Sequence, residues 1–363
     1  MLMTSPRPVP AVSDRATPNP APDAVGSIDR VEALLWRLAA GSRLDRLGAI
    51  VEEHLQSGGR RIRARLALGA CEALGVTEPR AVVWAAACEL LHNASLVHDD
   101  IQDGDTLRRG RPTTWARHGV AQAINAGDLL LMLPFSVLRH LDGSDAERWQ
   151  LSLATSTYAE TTVRGQASEI ELRRTWRLDW DSYHRAVEGK TAALFALPVH
   201  GAAVLAGRAA EAPVLAEPFA ALGVLFQLQD DVVDLYGDKG RGEQGADLRE
   251  GKISALVVEH LRLVPTDRDR LISLLEAPRD RTTEADIAWA ASRFEASGAL
   301  VAVLGRIRQI AERVSRAPEL AGEPALAAVA AKLLALSLAP IGHLLTPPSR
   351  HEPAQGEQLA AAV

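Results

Sequence analysis

Between about residues 28 and 346, apolar residues recur at intervals of three and four, and no stretch alternates apolar with polar long enough to make a strand. That period confines the chain to helices. It predicts helical runs over about 28–56, 61–75, 79–101, 118–141, 145–173, 179–206, 212–237, 252–263, 267–276, 283–297, 298–316 and 324–345. Plentiful Ala and Leu with only 4% aromatic residues agree with helices and argue against a β-sandwich. Gly58-Gly59, Gly110, Gly165, Gly189, Gly237 and Gly245 punctuate the runs. The expectation is one all-α domain over 28–346, a helical bundle around a central apolar cavity. It is flanked by Pro-, Ala- and Ser-rich tails at 1–27 and 347–363 that are expected to be disordered.

The bulk numbers narrow the function. A net charge of −6 over 363 residues gives no general attraction to nucleic acid or to an anionic membrane. The first 27 residues lack the apolar core of a secretory signal. The apolar stretch Ala325 to Leu345 is interrupted by Lys332, Pro340 and His343, which reads as a buried helix rather than a membrane span. Cys71 and Cys88 both sit in apolar helical patterns, so a disulfide framework is not expected and a reducing cytoplasm fits.

Two clusters of the form Asp-Asp-x-x-Asp close apolar runs: Asp99, Asp100, Asp103 and Asp230, Asp231, Asp234. Spacings of three and four place carboxylates on one helix face, where they repel unless a cation binds. Oxygen donors without cysteine ligands favour Mg2+, which keeps waters and bridges to phosphates. Basic residues come after each cluster. Arg108, Arg109 and Arg111 trail the first, and Lys252 trails the second after the loop Gly245-Ala246-Asp247. Guanidinium groups suit phosphate oxygens. Two further elements add cations: Gly58-Gly59-Arg60-Arg61-Ile62-Arg63, where arginines open a helix, and Gly189-Lys190-Thr191 heading an apolar helix. Each element alone is equally compatible with a solvated surface. Together they describe two diphosphate sites beside an apolar cavity that receives a hydrocarbon.

In this order, from about Gly58 to Leu261, the elements resemble the trans-isoprenyl diphosphate synthase (polyprenyl synthetase) family, and among its members the geranylgeranyl diphosphate synthases most. The resemblance implies an all-α, Mg2+-dependent, usually homodimeric enzyme with about three metal ions per site. It would join isopentenyl diphosphate head-to-tail to dimethylallyl, geranyl or farnesyl diphosphate. By resemblance Asp99, Asp100, Asp103, Asp230, Asp231 and Asp234 hold the metal. Arg108, Lys190, Thr191, Gln227 and Lys252 serve the allylic diphosphate, and Arg60, Arg61, His92 and Arg109 the isopentenyl diphosphate. His98 is read as a supporting residue beside the metal. Three departures stand out. Arg60 replaces a lysine, Ala64 replaces a proline, and Gly242 stands where a lysine is usual, with Lys239 or Arg241 as substitutes.

Product length depends on the floor of the cavity. In this family, bulky residues four and five positions before the first aspartate stop growth early. Here those positions are the small Ser95 and Ala94, so growth past C15 is expected, most simply to C20, with C25 or longer as the alternative. Leu91, Met132 and Phe135 are candidate floor residues. A terpene cyclase would carry one aspartate motif and no second diphosphate site, and an inactive regulatory subunit would carry degraded motifs. Both stay as less favoured alternatives, the second supported only by the Gly242 departure.

Overall fold

The computed structural model describes residues 26–40, 45–237 and 244–345, so most of both expected tails lies outside the described residues. The only strands among them are two short ones, and the rest of the regular structure is helical. The helices are α1 (Ser27–Ala40), α2 (Arg46–Leu55), α3 (Ile62–Ala73), α4 (Glu78–Asp103), α5 (Thr114–His118), α6 (Val120–Val137), α7 (Asp145–Thr175), α8 (Trp180–Val187) and α9 (Ala193–Leu205). After them come α10 (Ala212–Tyr236), α11 (Ala246–Arg249), α12 (Ala255–Leu263), α13 (Arg268–Glu276), α14 (Glu284–Ala296), α15 (Ala299–Ser315), α16 (Pro324–Leu338) and α17 (Gly342–Leu345).

The core has two parts that meet on α10. One gathers Leu35, Trp84, Leu130, Leu151, Phe195 and Phe219 from α1, α4, α6, α7, α9 and the first half of α10. The other gathers Leu225, Val232, Leu256, Leu271, Phe294 and Ile307 from the second half of α10 and α12 to α15. Burying each such side chain contributes about 1.5–3 kcal/mol. The α4 and α10 helices therefore run through the middle, and each ends in an aspartate cluster.

Several predicted runs divide. The run at 28–56 is two helices. The run at 118–141 is α6 and the short turn Leu138–His140, parted from the preceding α5 at Gly119, whose φ of 83° leaves the helical region. The run at 179–206 is α8 and α9 joined by a π-helical turn, Glu188–Ala192. Gly165 and Gly189 do not break elements as expected. A Cβ on Gly165 would come within 2.2 Å of the Lys190 backbone nitrogen, and one on Gly189 within 2.6 Å of the Gly165 Cα. They exist so that α7 and the π turn touch backbone to backbone.

Among the described residues, three helical segments are long and apolar enough to cross a bilayer by length and composition, Val120–His140, Ala212–Tyr236 and Pro324–Leu345, and the bent pair Glu284–Ala296 with Ala299–Leu320 would make a fourth if taken as one span. The second is the central helix and carries three aspartates. The third buries Leu326, Ala330, Leu333, Ser337 and Ile341, a spacing of three and four that seats one face on a protein core. Cys71 and Cys88 are free thiols, both buried.

Candidate active site

The first aspartate cluster is placed by how α4 ends. Gly104, at φ 73°, caps the helix and returns its N–H to the Asp100 carbonyl. The segment expected as a loop then forms a small hairpin, β1 (Leu107–Arg108) against β2 (Arg111–Pro112). Arg109 and Gly110 are its two turn residues, with φ of 54° and 75°, the signature of a type I′ turn. The hairpin folds its arginines back toward α4. Gly59 makes room for one of them, because a Cβ there would lie 2.6 Å from the Arg109 guanidinium, which donates to the Gly58 carbonyl.

A cavity of about 410 Å3 opens between the ends of α4 and α10. Asp99 and Asp103 face it from α4, and Asp230 and Asp231 border it from α10. Lys190 and Lys252 lie between these walls. The Lys190 Nζ is 2.5 Å from Glu169 Oε2 and 3.8 Å from Asp99 Oδ2. The Gly165–Gly189 contact sets up that pairing, because Glu169 stands one turn after Gly165. The Lys252 Nζ is 3.3 Å from Asp103 Oδ2 and 2.8 Å from Glu250 Oε2. Burial opposes the charge on both lysines, but the surrounding carboxylates outweigh it and hold both firmly protonated. Burial dominates at Asp99 and lifts it to about 6, against the pull of Lys190.

The middle aspartates are held by partners: Asp100 is off the cavity lining, and Asp231 borders the cavity. Asp100 is buried and accepts from Arg108 at 2.6 Å and 2.7 Å on one oxygen. Its other oxygen has no partner among the described residues. Asp231 is buried and accepts from the Tyr183 hydroxyl (2.6 Å), the Ala255 N–H that opens α12 (2.7 Å) and Gln227 Nε2 (2.9 Å). Burial still raises it to about 7. Asp234 is buried as well and accepts from the Asp247 N–H at 3.2 Å. The Thr191 hydroxyl donates to Gln227 at 3.1 Å, and both residues line the cavity.

The cavity is lined by a basic group as well: Arg63, His92, Arg108 and Arg109. The Arg63 guanidinium sits 4.6 Å from the Phe195 ring centre and 6.0 Å from that of Phe226. Its Nε and the His92 Nδ1 have no partner among the described residues. Burial, then Arg63, Arg108 and Arg109, push His92 well below the ordinary range, so its ring is neutral. Two expectations need correction here. Arg61, at φ 50° just before α3, is buried away from the cavity and donates to the Leu55 carbonyl (2.7 Å), Glu32 (3.2 Å) and Glu89 (3.5 Å). Arg63, two residues on, takes the place expected of it. Arg60 is exposed and outside the cavity lining.

The floor also differs. Ser95 borders the cavity together with Leu96, Leu194 and Phe226. Ala94 and Leu91 are buried in the core instead. At about 100° per residue, five residues turn Ala94 roughly 140° from Asp99, whereas Ser95 lies within about 40°. Met132 is 53% exposed, on the outer face of α6, and neither it nor Phe135 lines the cavity. Gly242, Lys239 and Arg241 lie outside the described residues.

The donor set fits magnesium. Among the described residues, no three carboxylate, imidazole or thiolate groups form a metal cage. Mg2+ does not require one, since it keeps several waters and takes one or two carboxylates plus substrate phosphates. Asp99 and Asp103, a turn apart and opposite Asp230, supply oxygen ligands of that kind. A bound cation would relieve the burial that disfavours the Asp99 charge.

Comparison with known proteins agrees with this geometry. A family model described as polyprenyl synthetase matches residues 45–293. A short chain isoprenyl diphosphate synthase from Methanothermobacter thermautotrophicus is 33% identical over 77% of this chain and 87% of its own. A geranylfarnesyl diphosphate synthase from Aeropyrum pernix is also 33% identical, over 77% of this chain and 90% of its own. The crystal structure of geranylgeranyl pyrophosphate synthase from Corynebacterium glutamicum, complexed with isoprenyl diphosphate and magnesium, superposes with a TM-score of 0.75. It shares 25% identity and covers 86% of this chain and 96% of its own.

Proposed function

This chain belongs to the polyprenyl synthetase family, and we propose that it condenses isopentenyl diphosphate head-to-tail with an allylic diphosphate to give a linear C20 prenyl diphosphate. The observation that carries this reading is one cavity lined by three chemically distinct groups: carboxylates with lysines, arginines with a neutral histidine, and apolar side chains.

In this reading Asp99, Asp103 and Asp230 face the allylic diphosphate. Mg2+ held there would supply the charge that stabilises diphosphate as it leaves. Lys190 and Lys252, fixed by Glu169 and Glu250, donate to the same oxygens without having to reorganise. Arg63 and Arg109 bind isopentenyl diphosphate, and the neutral His92 ring donates to it through N–H. Leu96, Leu194 and Phe226 hold the hydrocarbon and keep water from the allylic cation. No protein nucleophile takes part. Asp100 and Asp234 hold the walls in place rather than the metal, and Asp231 borders the cavity while fixed by Tyr183, Gln227 and the Ala255 N–H.

The small Ser95 under the cavity supports growth beyond C15. The Aeropyrum relative, whose name denotes a C25 product, makes a longer chain the second reading. A cytoplasmic homodimer completes the proposal. The dimer face would be the apolar stripe that α6 and α7 expose, with Val120, Ile124 and Met132 on one helix and Trp149, Leu153 and Val163 on the other. The test is incubation with Mg2+, labelled isopentenyl diphosphate and each of the dimethylallyl, geranyl and farnesyl starters, after which the products are sized. A C20 alcohol after dephosphorylation supports the proposal. Failure to elongate any starter with folded protein would overturn it.

A further inference from the structure

A second groove lies apart from the catalytic cavity. It has a volume of about 630 Å3, within the range of roughly 300–1,000 Å3 typical of ligand pockets. Leu34, Leu38, Pro79, Val82 and Val83 form its apolar floor, between α1 and the start of α4. Its rim is basic: Arg30, Arg37, Arg139 and His140. No acidic residue lines it, in a chain whose net charge is −6. Arg30 is neutralised by Glu78 at 2.8 Å. Arg37 has no ion pair among the described residues, and Arg139 makes only a hydrogen bond to the neighbouring His140 ring. Val82 and Val83 stand seventeen and sixteen residues before Asp99, so roughly 25 Å of helix separates groove from cavity.

An apolar trough edged by unpaired guanidinium groups is complementary to an amphiphile with a phosphate head. We propose that this groove is a second binding site for a long-chain prenyl diphosphate, separate from the catalytic cavity. The choice of occupant rests on the catalytic reading above, which makes such a molecule the chain's own product. The groove supplies what that product needs. Arg37 and Arg139 can each present two N–H groups to phosphate oxygens, and the floor takes the hydrocarbon out of water.

The experiment uses the full chain with its catalytic cavity saturated by Mg2+ and a bisphosphonate. Geranylgeranyl diphosphate, kept below its micelle-forming concentration, is then titrated calorimetrically. The expected result is one remaining site per chain. Its affinity should fall at least tenfold in Arg37→Glu/Arg139→Glu and be abolished in Val83→Trp, which fills the floor. The double variant alters only exposed side chains, so it should fold and its initial condensation rate should stay within twofold of the parent. Absence of a remaining site, or a site indifferent to both variants, would overturn the proposal. So would binding confined to phosphatidylglycerol vesicles, which would make the groove a membrane contact. A shift from dimer to monomer in Arg37→Glu/Arg139→Glu would likewise overturn it, because a second copy would then be the occupant. If the groove titrates as expected but no starter is elongated, the catalytic reading fails and the site stands.

Discussion

The two aspartate clusters carry the same letters and divide their labour differently. On α4, the first and last carboxylates face the cavity, and the middle one is buried on Arg108. On α10, the first two border the cavity, but the second is buried on hydrogen-bond donors, and the third is buried off the lining. The cause lies in the chain just beyond each cluster. A capping glycine and a hairpin bring one cation back to Asp100. A longer loop and the start of α12 bring backbone N–H groups to Asp231 and Asp234. An aspartate motif therefore identifies a wall of the site, and its surroundings decide which carboxylates remain available to a ligand.

The largest test of this contrast is activity. Asp99→Asn and Asp230→Asn should each lower kcat by roughly 10³-fold, in keeping with loss of electrostatic stabilisation where charge develops. Asp234→Asn should cost within about tenfold, because its carboxylate serves the loop and not the cavity. Steady-state kinetics at saturating Mg2+ make the comparison. Equal losses at Asp230 and Asp234 would dissolve the division proposed for the second wall.

Stability gives the next largest effect. Arg108→Ala strands the Asp100 carboxylate, one oxygen of which already lacks a partner. Breaking a buried pair from one side costs about 3–5 kcal/mol, to be read from urea unfolding at pH 8. The loss should shrink toward pH 5, since Asp100 is already lifted by burial and would protonate more readily once Arg108 is gone. A loss under 1 kcal/mol would mean that the first wall does not depend on its arginine.

Much of the fold is legible in the chain itself, and the failures have physical causes. The helices announce themselves because a 3.6-residue period survives any tertiary arrangement. The hairpin does not, because two-residue strands carry no alternation, and only the Arg109-Gly110 pair hints at it. Arg61 and Arg63 are indistinguishable by spacing, and the left-handed backbone at Arg61 decides which one reaches the cavity. Glu169 and Tyr183 escape a sequence reading because they lie far along the chain from the groups they hold. The glycines at 165 and 189 are the available signal for the first, if taken as a close approach rather than as helix breaks. Met132 and Phe135 fall outside the cavity lining, because helical phase along α6 requires knowing which face is covered.

Protonation offers a third way to separate the walls. Asp231 is raised from 3.8 to about 7 in the folded chain. The native state therefore binds its proton more tightly than the unfolded state, and stability falls as pH rises from about 4 to about 7. The contribution is on the order of 4 kcal/mol across that window. Asp231→Asn should flatten that part of the profile in metal-free unfolding experiments. An unchanged slope would show that the donors around Asp231 already offset its burial.

The smallest effect is expected at Tyr183, and it bears most directly on how the second wall is held. Tyr183→Phe removes one of three donors to Asp231 and leaves the Ala255 N–H and Gln227 in place. Loss of one hydrogen bond to a charged group costs about 1.5–3 kcal/mol, less than stranding Asp100. The kinetic consequence should appear in KM for the allylic substrate more than in kcat. Gln227 loses a fixed neighbour and passes that freedom to Thr191 and the cavity lining, while Asp230 keeps its place on α10. A fall in kcat comparable to that of Asp230→Asn would place Asp231 at the reacting diphosphate after all, and the two walls would then be more alike than their surroundings suggest.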